Sequence, residues 1–505
     1  MTKFTITIRA TSIAIDNGME AMDNLVVLLD MLTYEDEFVE ETKTLGFMYD
    51  KQTDTLYLHK GVDISFIQKL LMNTEIVFDL YDEYDEMKFD YDEIIAPRDD
   101  DQVDVINFIS GMADHIGNAN ESQLFLVKSP GFGKTFCTGV GLCKLKVKTL
   151  IIMHRDQLRG QWENSLRKMC GLTSHDIHEI SSSEELYDIA HNRHNFDYDV
   201  YLMTHATFRA GLKRLSTMQE AMNITKNLKI GFKVIDEAHL EFRDTILMDM
   251  VFNVKRNLYL TATDGRSSKE ENSIFRHVFA NALYYKPSAY LTDNNRPKKW
   301  VEYIAVAVNS NCNKNIYRYR VAGGKGMSPA TYGKWVIAYD KKKTHIKCCT
   351  EIIKMVYEND PYAKVLLFMP LIDLCEECAF YVTTHLDKDE TFKYDLDIRT
   401  INSKNSKKDN ERAKHADVIV TTIGSCGTGT DIPGITTIIS CSPFVSKITA
   451  AQVFGRIRYC GKVCQYYDIY DVSVQMDYIW WKSRKKGLTP IALNVKNLTW
   501  CEDET

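Results

Sequence analysis

Two short stretches of this chain combine residue types that can handle a nucleoside triphosphate. In the first, Ser129-Pro130-Gly131-Phe132-Gly133-Lys134-Thr135 follows the apolar run Leu124-Phe125-Leu126-Val127 and leads into a segment that can open a helix around Phe136. Glycines let backbone N–H groups close around phosphate oxygens. Lys134 can reach the β- and γ-phosphates, and the Thr135 hydroxyl can ligate Mg²⁺. A strict phosphate loop has Gly where this chain has Lys128. In the second stretch, Phe232-Lys233-Val234-Ile235 runs into Asp236-Glu237-Ala238-His239. An acidic pair at a strand end suits a metal at Asp236 and a water polarised by Glu237. The two elements in this order are far rarer by chance than either alone.

Holding these groups in place takes a strand–helix scaffold. From about residue 102, apolar strands are expected at 124–127, 149–153, 200–204, 233–235 and 257–260, with helices between. A second series has strands at 364–369, 396–401, 418–421, 437–440 and 465–469. This alternation predicts parallel sheets flanked by helices. Residues 1–80 read as a small α+β domain with a helix over 19–32. The boundaries expected are an accessory domain over 1–95, a first α/β domain over 96–295, a connection or insertion over 296–340, and a second α/β domain over 341–505.

The 505 residues suit two to four domains. No run of 18 apolar residues indicates a membrane span, and Met1-Thr2-Lys3-Phe4 does not open a secretory leader. Thirteen scattered cysteines point to a reducing, cytoplasmic setting. The net charge of −7 is uneven: residues 1–100 carry 23 acidic and 8 basic side chains, a balance of −15, which leaves +8 for the rest. A basic body fits a phosphate-backbone partner, and equally a mild solubilising excess. The acidic run over 81–101 reads as a solvated boundary.

In this order the motifs resemble those of superfamily 2 DExH-box helicases over residues 98 to about 470. The layout is similar to the XPB-like branch, which includes UvsW-like phage helicases and a poxvirus transcript-release helicase. The resemblance implies an α/β fold of two tandem RecA-like domains (the P-loop NTPase fold) after the small α+β domain. ATP and Mg²⁺ would lie between the lobes, with Thr135 and Asp236 on the metal. It implies that Gln102 reads adenine, that Pro130, Gly131, Phe132, Gly133, Lys134, Thr135 and Phe136 cradle phosphates, and that Gly429 and Asp431 approach the nucleotide. His239, Thr261, Thr263 and Gln452 would couple the nucleotide to the nucleic-acid face. His154, Arg155 and Gln161, then Thr204, Phe368, Thr421 and Thr422, would touch the nucleic acid. Trp162, beside Gln161, belongs either to that contact or to the core.

Arg456 would be the cation that stabilises charge during phosphoryl transfer. The usual spacing has a second Arg where Tyr459 stands, and Arg458 lies one place earlier, about 100° away on a helix. Arg458 then serves from a non-helical backbone, or Arg456 acts alone, or hydrolysis is weakened; the favoured reading is Arg456, shared with Arg458. The implied activity is an ATP-dependent helicase or translocase on single-stranded, duplex or branched DNA, in replication, recombination or repair. The alternatives are an RNA or transcript-release helicase, a duplex translocase that remodels bound proteins, and a non-enzymatic scaffold. The acidic N-terminal domain would bind a replication, recombination or transcription protein, or gate the basic cleft. Cys375 and Cys378 have metal-ligand spacing but read as packing thiols, and Trp480-Trp481 read as core.

Overall fold

The computed structural model describes residues 2–36, 41–44, 46–89, 94–112, 122–128, 132–262, 269–286, 300–311, 331–334, 340, 342–427, 432–444, 447–458 and 460–501. The chain forms two compact units, Met1–Arg296 and Pro297–Thr505.

Each unit holds a seven-stranded sheet whose recorded pairings are all parallel. In the first unit the spatial order is Ile177–Ile180, Val200–Thr204, Thr149–Met153, Phe232–Ile235, Arg256–Thr261, Gln123–Val127, Leu283–Tyr284. In the second it is Ile398–Ile401, Val418–Thr422, Val365–Met369, Thr437–Ser440, Cys464–Asp471, Val301–Val308, Val495–Thr499. Numbered along the chain within each sheet, both read 3-4-2-5-6-1-7. The same crossover path is therefore built twice, and the fold is two tandem RecA-like domains. Central strands such as Thr149–Met153 and Val365–Met369 are buried at every position. That is why they read as unbroken apolar runs: helices cover both faces of a parallel sheet.

The expected connection over 296–340 needs correcting. Val301–Val308 is strand 1 of the second sheet, paired along its length with Cys464–Asp471 and on its other side with Val495–Thr499. The polar, glycine-bearing sequence that follows it obscured the strand. Edge strand Val495–Thr499 is mostly exposed, so it carries no apolar run to announce it.

The N-terminal domain is a five-stranded mixed sheet, in the order Phe47–Asp50, Thr55–His59, Ser12–Ile15, Phe4–Arg9, Thr74–Asp79. Short helices at Gly18–Asn24, Val26–Asp30 and Ile64–Leu70 supply the partners of its own core. Residues of the other face, Ala14 and Tyr57, belong to the core of the first α/β domain. There the backbones meet so closely that a Cβ on Gly61 would lie 2.1 Å from the Val278 carbonyl oxygen. A buried polar centre crosses the junction. Asp249 accepts from Lys233 Nζ at 2.6 Å and from the Tyr259 hydroxyl at 2.7 Å, and its Oδ2 lies 3.0 Å from His59 Nε2. The Thr11 hydroxyl donates to the Asp249 carbonyl at 2.6 Å. His59 and Thr11 belong to the N-terminal domain, so this domain shares its interior with the first α/β domain and is not a detachable arm.

The described part of the acidic run is likewise no free boundary. Asp85 N–H donates to the Lys229 carbonyl, Lys148 N–H to the Asp85 carbonyl, and Met87 N–H to the Lys146 carbonyl. The Asp85 carboxylate pairs with Lys148 and Lys229, and Asp82 pairs with Lys255. Acids that looked solvated strap the segment onto lysines that sequence spacing could not pair with them.

Candidate nucleotide site and its surroundings

In the strand order 3-4-2-5-6-1-7, strand 6 separates strand 5 from strand 1. The phosphate loop leaves strand 1 (Gln123–Val127), the acidic motif leaves strand 5 (Phe232–Ile235), and Thr261 ends strand 6 between them. The topology thus gathers three motifs at one sheet edge. Ser129, Pro130, Gly131 and Thr263 lie outside the described residues. Gly133 caps the helix Lys134–Leu145 with φ +100°, a left-handed conformation that suits glycine. Lys134 and Thr135 therefore occupy the first helical positions, where N–H groups point outward to an anion and the helix dipole favours negative charge.

Lys134 Nζ donates to the Lys128 carbonyl at 3.0 Å and stands 3.9 Å from Glu237 Oε1. The acidic motif is held by its backbone: Asp236 N–H donates to Ile152 O at 2.8 Å, and Ala238 N–H to Leu260 O at 2.9 Å. Glu237 sits at φ +50°, an uncommon conformation for a residue with a side chain. Trp162 Nε1–H donates to Asp236 Oδ2 at 2.9 Å. Burial and the neighbouring Glu237 push the Asp236 carboxyl up to about 6, against the pull of the Trp162 hydrogen bond and the Lys134 charge. Glu237 Oε2 is buried without a hydrogen-bond partner. A half-buried carboxylate pair with one orphaned oxygen is an incomplete electrostatic arrangement, and a divalent cation fits it. His239 Nδ1 lies 3.4 Å from Glu237 Oε2 and 2.9 Å from the Thr261 hydroxyl, so His239 connects Glu237 to Thr261.

Two residues that broke or blurred the motif have clear places. Lys128, where Gly is usual, holds Asp101 at 2.7 Å, lies 4.5 Å from the Phe132 ring centroid, and its N–H donates to Thr261 O at 3.1 Å. Gln102 Oε1 accepts from Arg98 N–H and its Nε2 donates to Phe132 O, both at 2.8 Å. The amide therefore clamps the loop to the helix Asp100–Ser110, and these two bonds use one of its N–H groups and one of its lone pairs.

Several expected contacts are corrected by burial. Phe368 is fully buried in a central strand and packs in the second domain's core. Thr421 is fully buried and gives its hydroxyl to Ile401 O at 2.6 Å. Thr204 is buried and caps the helix His205–Leu212 through Thr207 N–H. None of these side chains presents surface to a nucleic acid. Phe136 packs in the first domain's core, leaving only its backbone near the loop. His154 is half-buried and pushed down to about 4 by burial, helped by Arg155 and His239, so it is neutral near pH 7. Arg155, Gln161 and Thr422 keep part of their surface.

In the second domain, Gly429, Asp431 and Tyr459 lie outside the described residues. The helix Lys447–Phe454 carries buried Gln452 and ends before Arg456. Arg456 N–H and Ile457 N–H close turns onto Val453 O and Phe454 O. Arg456 is half-buried and Arg458 exposed. The 100° displacement argued for Arg458 therefore does not apply, because its backbone is not helical. Position 471 matches 261 in the other sheet: Val308 pairs with Asp471 as Val127 pairs with Thr261. There the sheet edge is filled by the protein's own charges, with Asp471, Asp340 and Tyr332 around His345. Cys375, Cys378, Trp480 and Trp481 are buried, and Lys343 and Lys404 pair with Glu377 and Asp373.

Fold and site together define a protein of two RecA-like domains with a candidate nucleotide site on the first. Residues 94–266, the segment with both motifs, match the family described as "Type III restriction enzyme, res subunit". Over 149 residues the chain is 28% identical to "Putative DNA 3'-5' helicase Rad25" of Haloarcula marismortui, covering 30% of this chain and 21% of that relative. The chain thus spans about a fifth of the curated relative it matches. Among solved structures it is similar to Dbp5 of S. cerevisiae bound to RNA and ADP BeF3, with TM-score 0.50, 11% identity, and 77% and 88% of the two chains covered. It is also similar to the ATP-dependent Type ISP restriction-modification enzyme LlaBIII bound to DNA, with TM-score 0.53, 15% identity, and 86% and 34% covered. At such identities these likenesses concern the fold.

Proposed function

We propose that the protein is an ATP-dependent helicase or translocase on DNA. The observation that carries this is the approach of Lys134, at a helix N-terminus, to Glu237 of the acidic pair at 3.9 Å. Lys134 and the loop amides bind the β- and γ-phosphates. Asp236 and Thr135 would hold Mg²⁺, which would supply positive charge against the phosphates. Glu237, with its unpartnered buried oxygen, accepts the proton of the attacking water. Arg456, shared with Arg458, offsets charge on the transferring phosphoryl group. His239 and Thr261 report the nucleotide's state to Arg155 and to Gln161 on the helix Gln157–Cys170.

The choice of DNA is supported by the DNA helicase description of the Rad25 relative and by the DNA in the LlaBIII structure; the +8 balance beyond residue 100 suits either nucleic acid. The RNA in the Dbp5 structure favours the second reading, an RNA or transcript-release helicase. A place in the XPB/UvsW-like branch, and a role in recombination or repair, belong to the same proposal. So does a protein partner for the acidic N-terminal domain. Steady-state ATPase with single-stranded DNA, duplex, forked DNA and RNA in parallel tests it. Glu237→Gln is expected to bind ATP and turn it over at least 100-fold more slowly, in line with loss of general-base catalysis. Undiminished nucleic-acid-stimulated turnover in that variant refutes the assignment.

A further inference from the structure

We infer that Trp162 is the positioning residue for the Asp236 carboxylate, and that through it the helix Gln157–Cys170 links nucleic-acid contact to Mg²⁺ affinity. The inference rests on the nucleotide-site reading above. Trp162 is almost fully buried, within a core cluster that also holds Leu158, Leu166 and Cys170. Packing alone would be met by Phe or Leu. The indole adds a donor that must find an acceptor when buried, and it finds Asp236 Oδ2. The Asp236 backbone N–H is held by Ile152 O, so backbone and side chain are both pinned. The carboxylate is thus oriented by the indole at Oδ2 and by a hydrogen bond from the Glu237 backbone. Partners that orient a metal-binding group in this way tune its affinity.

The helix also reaches outward. Gln161 precedes Trp162 and keeps exposed surface, and Arg155 stands just before the helix. Successive residues on a helix are about 100° apart, so the neighbour of an inward indole faces another way. A helix moves as a rod. A strand drawn against Arg155 and Gln161 shifts Trp162 with them, and Trp162 shifts the carboxylate.

The test uses the full chain with Trp162→Phe, which keeps a ring and removes the N–H. Binding of a fluorescent ATP analogue is titrated against Mg²⁺, with and without single-stranded DNA. The expected result is a half-saturating Mg²⁺ concentration raised about tenfold or more, unchanged analogue binding in EDTA, and no effect of DNA on the Mg²⁺ requirement. An unaltered Mg²⁺ requirement overturns the inference. Lys134→Ala, measured alongside, separates the two levels: if it binds the analogue like the parent, the site reading has failed, not the role of Trp162. Should Trp162→Phe not fold, the unaltered protein is titrated with Mn²⁺ and ADP while the indole N–H resonances of its six tryptophans are followed. One indole signal broadened at stoichiometric Mn²⁺ is expected; none broadened overturns the proposal.

Discussion

Replacing Asp249 should unfold the first unit far more easily than any surface change, although Asp249 touches no proposed ligand. Its side chain is fully buried, and so is that of Lys233, its partner at 2.6 Å. Lys233 lies on the strand that delivers Asp236 and Glu237. Asp249→Asn removes the charge paired with that ammonium and weakens the contacts to His59 and Tyr259. Breaking a buried pair by deleting one partner costs about 3–5 kcal/mol, because the other charge is left uncompensated. Against a typical total of about 5–15 kcal/mol, that is a large fraction. Replacing both partners by apolar residues of similar size removes the uncompensated charge, so Lys233→Met with Asp249→Leu should recover at least about 2 kcal/mol of the loss. Urea unfolding followed by circular dichroism, with hydrogen exchange localised to residues 1–296, gives both numbers. A change under about 1 kcal/mol for Asp249→Asn, or a double variant weaker than the single, refutes the reasoning. The pH dependence has a definite sign. Burial alone would raise the Asp249 carboxyl, but the Lys233 charge and the His59 contact hold it below the ordinary range. Its contribution is therefore present above the unfolded carboxylate value and lost as pH falls through the lower folded one.

The other expectations are local. Gly133→Ala should weaken ATP-analogue binding tenfold or more, because the added Cβ would lie 2.6 Å from Gln102 Nε2 at φ +100°; deleting the Gln102 amide as well should not restore binding, since the backbone strain persists. His345 is pushed up to about 9: burial opposes its charge, but Asp340 and Asp471 outweigh it. The second domain should hold that stabilisation, on the order of 3 kcal/mol, below about pH 6.5 and lose it as pH rises through 9; His345→Gln should flatten this alkaline loss in thermal melts. Arg456→Ala should lower turnover at saturating ATP more than Arg458→Ala does, as the half-buried side chain is the better placed to act away from solvent. Equal effects would mean that the two arginines share the role.

Much of the architecture was legible along the chain. Parallel strands covered on both faces are mostly apolar, so Leu124–Val127 and Val365–Phe368 stood out unaided. Loop chemistry did as well: a glycine before Lys-Thr and an acidic pair after a strand are required by what the residues do locally. Less visible were strands whose sequences are short or polar, such as Val495–Thr499, and partners set by long-range contact. Phe368 and Thr421 sit in motifs that point to nucleic acid, yet their side chains are buried, since helices cover both faces of the parallel sheet that holds them. Asp85 looked like solvent-facing charge until Lys148 and Lys229 were brought beside it.

By itself, then, the order of residues determined the two parallel sheets, the helix N-terminus that offers N–H groups to an anion, and the acids that stand at a strand end. These follow from backbone geometry and side-chain chemistry within a few residues. Only the tertiary structure decided that Trp162 holds Asp236, that Lys128 and Gln102 brace the loop, and that the N-terminal domain shares a buried charge centre with the first sheet. Each of those joins residues tens to nearly two hundred positions apart, and such hydrogen bonds and ion pairs come into being only when packing brings the partners together and removes the water between them.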